Sequence, residues 1–143
     1  MSKKTTVLFL CTHNSARSQI AEAILNHLYP TKYEAYSAGT QPTQVNPFTT
    51  QVLNELNIDI THQRAKSITE FKDKKFDIVV TVCNNAKENC PFFPGNNIIH
   101  QSFNDPADTD GSPDEILQSF RSIRNDIHKW ITITFCKKTG ATG

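Results

Sequence analysis

The sequence predicts an α/β fold, built on a four-stranded parallel sheet with helices on both faces. Two observations support this prediction. Short apolar runs alternate along the chain with segments whose apolar residues recur at helical spacing. Strands that alternate with helices in this way form parallel sheets. The length of 143 residues suits one domain. We therefore expect a single domain over residues 1–143, with a flexible polar tail at 137–143.

The first half of the chain predicts two strands and two helices. Residues 6–10 are an apolar run, typical of a buried parallel strand. A helix over 18–28 follows, with its apolar residues at helical spacing and Pro30 just beyond its end. Residues 33–38 alternate and end at Gly39, which indicates the second strand. Pro47 is a good first-turn residue for a helix through Leu56.

The second half predicts two more strands and the last helix. The segment 76–82, Phe-Asp-Ile-Val-Val-Thr-Val, is the clearest strand of the chain. Residues 97–101 form a shorter fourth strand. Ser112 and Pro113 open a helix whose apolar residues recur at helical spacing as far as Ile131. In such sheets, ligands bind at the carboxyl ends of the strands, so loops at those ends are the candidate site.

Composition excludes several classes of function. The net charge is +1, so no general attraction to nucleic acid or to an acidic membrane is implied. No apolar run approaches the length of a membrane span, and the first residues lack a secretory apolar region. We expect a cytoplasmic monomer that binds neither nucleic acid nor membrane. Four cysteines in that compartment favour reactive or metal-binding roles over structural disulfides.

The most informative motif joins the first strand to the first helix. Cys11 and Arg17 are separated by five residues. A loop at a helix N-terminus can aim successive N–H groups at an oxyanion, and an arginine adds a two-pronged contact. Positive surroundings favour the thiolate of Cys11, to which Ser18 can donate a hydrogen bond. The expected nucleophile is Cys11, and the expected oxyanion-binding residues are Thr12, His13, Asn14, Ser15, Ala16, Arg17 and Ser18.

A second motif, Asp105-Pro106, follows the fourth strand. Proline restricts the backbone next to the carboxyl group, which could then act as a general acid for a leaving oxygen. Taken alone, the pair also fits an ordinary turn. Its position at the same sheet edge as Cys11 favours the catalytic interpretation.

The third feature is the pair Cys83 and Cys90, which bracket a polar segment after the third strand. Their spacing is too wide for the usual zinc or Cys-x-x-Cys redox motifs. The two thiols can form a disulfide if the loop brings them within reach, although Cys83 could also be a buried structural thiol. Zinc would need further ligands, and His100 is the only histidine nearby, so no metal is expected. Cys136 lies near the expected tail and is assigned no role.

Together these motifs resemble a known family. Cys-x5-Arg-Ser after the first strand and Asp-Pro after the fourth resemble the low-molecular-weight tyrosine phosphatases. Residues 36–39, 45–47 and 103–107 are also similar to that family. Within its superfamily, the added pair Cys83 and Cys90 resembles the thioredoxin-coupled arsenate reductases. The resemblance covers the chain from about Lys4 to Trp130.

The resemblance implies a reaction. Arsenate would bind in the loop, where phosphate or sulfate could also bind. Cys11 would attack arsenic while Asp105 assists the departing oxygen. Cys83 would then attack Cys11 and release arsenite, and Cys90 would move the disulfide to the Cys83–Cys90 pair. Thioredoxin would reduce that disulfide as electron donor, and no tightly bound cofactor is implied.

Two alternatives remain at this point. A phosphatase of this family needs only Cys11, Arg17 and Asp105. However, Ala107 and Asp108 follow the Asp-Pro pair here, where such phosphatases usually place aromatic residues. A non-catalytic oxyanion-binding module would leave the pair of later cysteines unexplained.

The resemblance also points to residues that support the loop. Some relatives hold a potassium ion behind it, with residues that match Asn14, Glu22 and Ser37 and with an aspartate that aligns with Lys66. An ammonium would repel such an ion. Lys66 would therefore take its place and pair with Glu22, unless it is simply a solvated surface lysine.

Overall fold

The computed structural model describes residues 3–84 and 93–140, with side chains as far as residue 136. Its sheet has four parallel strands in the order β2-β1-β3-β4, which confirms the predicted fold class. The strands are β1 (Thr5–Cys11), β2 (Tyr33–Gly39), β3 (Ile78–Thr81) and β4 (Asn97–His100). The helices are α1 (Arg17–Leu28), α2 (Pro47–Asn54) and α3 (Pro113–Gly140), with short 3₁₀ helices at Ile68–Phe71 and Pro106–Asp108.

Different side chains pack against the two faces of the sheet. Val7 and Phe9 of β1 belong to a buried cluster that includes residues of α1 and α3. Leu8 and Leu10 point the other way, into a cluster with Val79. That second cluster is closed by aromatic rings in edge-to-face contact, from Tyr36, Phe71, Phe76 and Phe93. Burial on both faces explains why β1 is a continuous apolar run.

The strand order places a crevice beside the end of β1. The chain leaves β1 for β2 on one side and later enters β3 on the other, which makes β1 and β3 the switch point of the sheet. β1 ends at Cys11, and Cys83 follows β3 by two residues. The backbone N–H of Val82 donates to the carbonyl of Leu10 at 2.9 Å, so the pairing continues to the last residue before Cys83.

Two helix ends differ from the predicted ones. α2 ends at Asn54, before the expected Leu56, because Asn57 adopts a left-handed φ of 62°. The N–H of Ile58 then donates to the carbonyl of Leu53 at 3.0 Å, which is a helix-terminating hydrogen bond. At the other end of the chain, α3 continues through Gly140. The polar tail predicted at 137–143 therefore begins within this helix.

A cluster of charged side chains joins α2 to α3. The guanidinium groups of Arg121 and Arg124 both bind the carboxylate of Glu55, each with a contact of 2.7 Å. Their hydrogen bonds lower the pKa of Glu55 to about 2. Arg124 Nη1 also donates to the carbonyl of Val52 at 2.9 Å. This cluster fixes α2, whose N-terminal end contacts the loop after β1.

Among the described residues, none of the helices combines the length and the apolar character that a membrane span requires.

Candidate active site

The loop at residues 12–16 turns its backbone carbonyls away from the space above Cys11. Each of these carbonyls accepts a hydrogen bond from a group outside the loop. Because the C=O and the next N–H lie on opposite sides of a trans peptide, the N–H groups of residues 13–17 point away from these donors, as an oxyanion-binding loop requires. The donors are the N–H groups of Gln41, Thr43, Asn46 and Ile20, together with the side chains of Gln19 and Thr49, at 2.8 to 3.2 Å.

The end of β2 lies directly against this loop. A Cβ atom on Gly39 would stand 2.4 Å from the carbonyl oxygen of Thr12 and 3.0 Å from the nitrogen of Asn14. Real Cβ contacts are longer than this, so only glycine allows the loop to sit where it does. The requirement at this position is space rather than backbone conformation.

A directed chain of hydrogen bonds leads to the sulfur of Cys11. The Oδ1 atom of Asn14 accepts from Gln19 Nε2 at 3.0 Å and from the N–H of Lys66 at 2.9 Å. The amide of Asn14 is thereby oriented, and its Nδ2 donates to Ser18 Oγ at 2.7 Å. Ser18 Oγ lies 2.8 Å from Cys11 Sγ, where it can donate to the sulfur once Cys11 is a thiolate. A hydroxyl that donates to sulfur stabilises negative charge there.

Arg17 supplies a buried cation at the start of α1, with only 2 % of the residue exposed. Its Nη1 donates to the carbonyl of Phe103 at 3.2 Å. Its Nη2 lies 3.6 Å from Asp105 Oδ2. Asp105 also caps the 3₁₀ helix Pro106–Asp108, because its Oδ1 accepts from the N–H of Ala107 at 3.0 Å. The structure therefore brings Cys11, Arg17 and Asp105 to one edge of the sheet.

The cysteines differ in state and in surroundings. Cys11 is a buried thiol at the end of β1, and Cys136 is an exposed thiol on α3. Cys83 is fully buried after β3 and is disulfide-bonded. Cys90 lies outside the described residues.

Lys66 lies behind the loop, close to the residues expected to support it. Its side chain is 12 % exposed, so it is not a solvated surface lysine. Its Nζ lies 3.9 Å from Glu22 Oε1 and donates to the carbonyl of Arg64 at 2.9 Å. Ser37 Oγ donates to the same Glu22 oxygen at 2.5 Å. Burial raises the pKa of Glu22 and lowers that of Lys66, while the attraction between the two charges opposes both changes.

Two glutamines outside the sequence motifs also support the loop. Gln19 is fully buried, and its Nε2 donates to the carbonyl of Asn14 as well as to its side chain. Gln63 Nε2 in turn donates to Gln19 Oε1 at 2.6 Å. The only signal in the sequence is the position of Gln19, an uncharged polar residue in the first turn of α1 beside the motif. Nothing in the sequence singled out Gln63.

Within the described ranges, no group of three or more histidine, cysteine, aspartate or glutamate side chains could hold a metal ion.

Comparisons with known proteins agree with this geometry. The family model described as low molecular weight phosphotyrosine protein phosphatase matches residues 6–133. An arsenate reductase of Halalkalibacterium halodurans is 39% identical over 132 residues, which are 92% of this chain and 94% of that protein.

Two solved structures extend the comparison. An arsenate reductase in its phosphate-binding state aligns with a TM-score of 0.76 at 25% identity, over 93% of this chain and 98% of that one. The thioredoxin-dependent arsenate reductase of Corynebacterium glutamicum aligns with a TM-score of 0.63 at 28% identity, over 93% of this chain and 64% of that one. The chain belongs to the low molecular weight phosphotyrosine protein phosphatase family and is related over almost its whole length to arsenate reductases.

Proposed function

We propose that this protein reduces arsenate to arsenite and that thioredoxin supplies the electrons by reducing the disulfide that the reaction leaves. The observation that carries the proposal is the combination of a nucleophilic cysteine beneath an oxyanion loop with a second, buried cysteine at the end of the neighbouring strand. Cys83 is disulfide-bonded, which supports the proposed redox role of its sulfur. The relatedness to arsenate reductases supports the same reaction.

In the first proposed step, the inward N–H groups and Arg17 bind the arsenate oxygens. The Cys11 thiolate attacks arsenic and forms an S–As bond, while one oxygen leaves as water after receiving a proton. Asp105 is the proposed donor of that proton, because its carboxyl group lies beside Arg17 at the mouth of the loop.

In the next steps the electrons come from sulfur. The Cys83 thiolate attacks Cys11 Sγ, the S–As bond breaks with its electron pair on arsenic, and arsenite leaves. The products are arsenite and a Cys11–Cys83 disulfide. Cys90 then attacks Cys83, which restores the Cys11 thiolate and leaves a Cys83–Cys90 disulfide. The dithiol of thioredoxin reduces this bond and becomes oxidised itself.

Phosphate-ester hydrolysis is the second candidate. Cys11, Arg17 and Asp105 suffice for it, and the matching family model is that of phosphatases. Ala107 and Asp108, both exposed beside Asp105, offer no aromatic wall for a phenyl ring. We therefore rank this activity below arsenate reduction.

Replacing the nucleophile tests the proposal. Cys11→Ser should abolish arsenate reduction in an assay with thioredoxin and should also abolish aryl-phosphate hydrolysis, since a serine hydroxyl is not ionised at neutral pH. Cys136→Ser is the matched control and should keep both activities, because the exposed Cys136 lies on α3, outside the loop. Arsenate turnover by Cys11→Ser, or no arsenate turnover by the unmodified protein, would refute the assignment.

The disulfide relay is tested one cysteine at a time. Cys83→Ser should stop arsenate reduction but keep phosphate binding and slow phosphate-ester hydrolysis, which need no second thiol. Cys90→Ser should complete about one turnover and then accumulate a Cys11–Cys83 disulfide, because no thiol remains to resolve it. Mass spectrometry after arsenate treatment identifies the bond. Steady turnover of Cys90→Ser with thioredoxin is the outcome that contradicts the relay.

We further propose that the Lys66 ammonium occupies the position of a cation behind the loop and steadies it with Asn14, Glu22 and Ser37. Turnover should then be the same in potassium and sodium salts at matched ionic strength. Lys66→Asp removes the built-in cation and adds a carboxylate, so it should lower activity in sodium and recover part of it in potassium. Lys72→Asp, at an exposed position, is the control. Specific stimulation of the unmodified protein by potassium would contradict the proposal.

A further inference from the structure

The segment at residues 102–105 contacts both Arg17 in the oxyanion site and the backbone at Cys83. On the basis of the function proposed above, we propose that Ser102 and Asn104 are positioning residues for Cys83. They hold the backbone around this cysteine while its sulfur changes partners. Neither residue belongs to the oxyanion loop or to the cysteine relay.

Three residues of this segment form hydrogen bonds with three consecutive residues around Cys83. The N–H of Phe103 donates to the carbonyl of Val82 at 3.1 Å. Ser102 Oγ donates to the carbonyl of Cys83 at 3.2 Å. Asn84 Nδ2 donates to Asn104 Oδ1 at 2.9 Å. Residues 102–104 therefore bind Cys83 and both of its neighbours in the chain, Val82 and Asn84.

Two residues of the same segment, Phe103 and Asp105, contact the oxyanion site. The carbonyl of Phe103 accepts from Arg17 Nη1, and Asp105 lies beside Arg17 Nη2. The ring of Phe103 is itself held in edge-to-face contact with Trp130 of α3, with ring centroids 6.2 Å apart. The position of Cys83 relative to the arginine that binds the substrate is thus set through residues 102–105.

This arrangement matters for thiol–disulfide exchange. The buried sulfur of Cys83 has to approach Cys11 in one step and a different thiol in the next. If the backbone is fixed, rotation of one side chain can serve both steps, and the effective concentration of the thiol at Cys11 stays high. If only the side-chain contacts of Ser102 or Asn104 are lost, Cys83 spends less time in the attacking geometry, while the contact of the Phe103 carbonyl with Arg17 remains.

We expect only the step that forms the Cys11–Cys83 disulfide to be slowed. Phosphate-ester hydrolysis uses no thiol besides Cys11, so it reports on the fold and the loop without involving Cys83. In a Cys90→Ser background, Ser102→Ala and Asn104→Ala should each slow formation of the Cys11–Cys83 disulfide roughly three- to tenfold, as expected for the loss of one hydrogen bond. The double substitution should slow it further, and hydrolysis of an aryl phosphate should stay within about twofold of the parent rate.

Two further variants separate positioning from a general structural role. Asn104→Asp keeps an acceptor oxygen for Asn84 and should restore the disulfide-forming rate relative to Asn104→Ala. Asn96→Ala removes an exposed asparagine before β4 and should change neither reaction. The measurement is quenched single-turnover mass spectrometry after arsenate is added.

The outcomes are distinguishable. Equal slowing of both reactions, an unchanged disulfide rate in the double variant, or an Asn104→Asp variant as slow as Asn104→Ala would each overturn the positioning role. If the Cys90→Ser parent itself forms no Cys11–Cys83 disulfide with arsenate, the proposed function has failed, and the positioning role fails with it.

Discussion

The site depends on one constraint, which is that every carbonyl of residues 12–16 is bound from outside the loop. A backbone segment in this position has as many acceptors as donors, and an oxyanion is attracted only if the donors face it. Hydrogen bonds from the 41–49 segment and from α1 settle the orientation of each peptide. The guanidinium of Arg17 and the hydroxyl of Ser18 then lie beside a site whose backbone is already fixed.

The two parts of the proposed reaction use different parts of the structure. The proposed binding of a tetrahedral anion and attack by Cys11 depend on β1, the loop and α1. The proposed transfer of electrons depends on the end of β3, where Cys83 follows Val82. Residues 102–105 lie between these parts and contact both. In the proposed reaction, the oxyanion loop and the redox-active Cys83 therefore lie on separate elements that residues 102–105 connect.

The order of strands and helices, and the meeting of Cys11, Arg17 and Asp105 at one sheet edge, could be predicted from local signals. Apolar periodicity located β1 and α1, and the spacing of Cys11 and Arg17 marked the loop between them. Gln63 could not be predicted in the same way, because it acts through a contact with Gln19, 44 residues away in the sequence. The early end of α2 depended on the left-handed conformation of Asn57, which no periodic pattern reveals.

Phosphate binding to Gly39→Ala tests most directly whether the geometry of the loop creates the anion site. The added methyl group would collide with the backbone of Thr12, whereas in Gly95→Ala it would meet the side chain of Val79, 2.7 Å away and outside the loop. With folding of both variants verified by circular dichroism, calorimetry should show at least roughly tenfold weaker binding for Gly39→Ala, since a misplaced contact costs that much or more. Gly95→Ala should bind phosphate like the unmodified protein. Unchanged phosphate affinity in Gly39→Ala would show that the position of the loop does not determine anion binding.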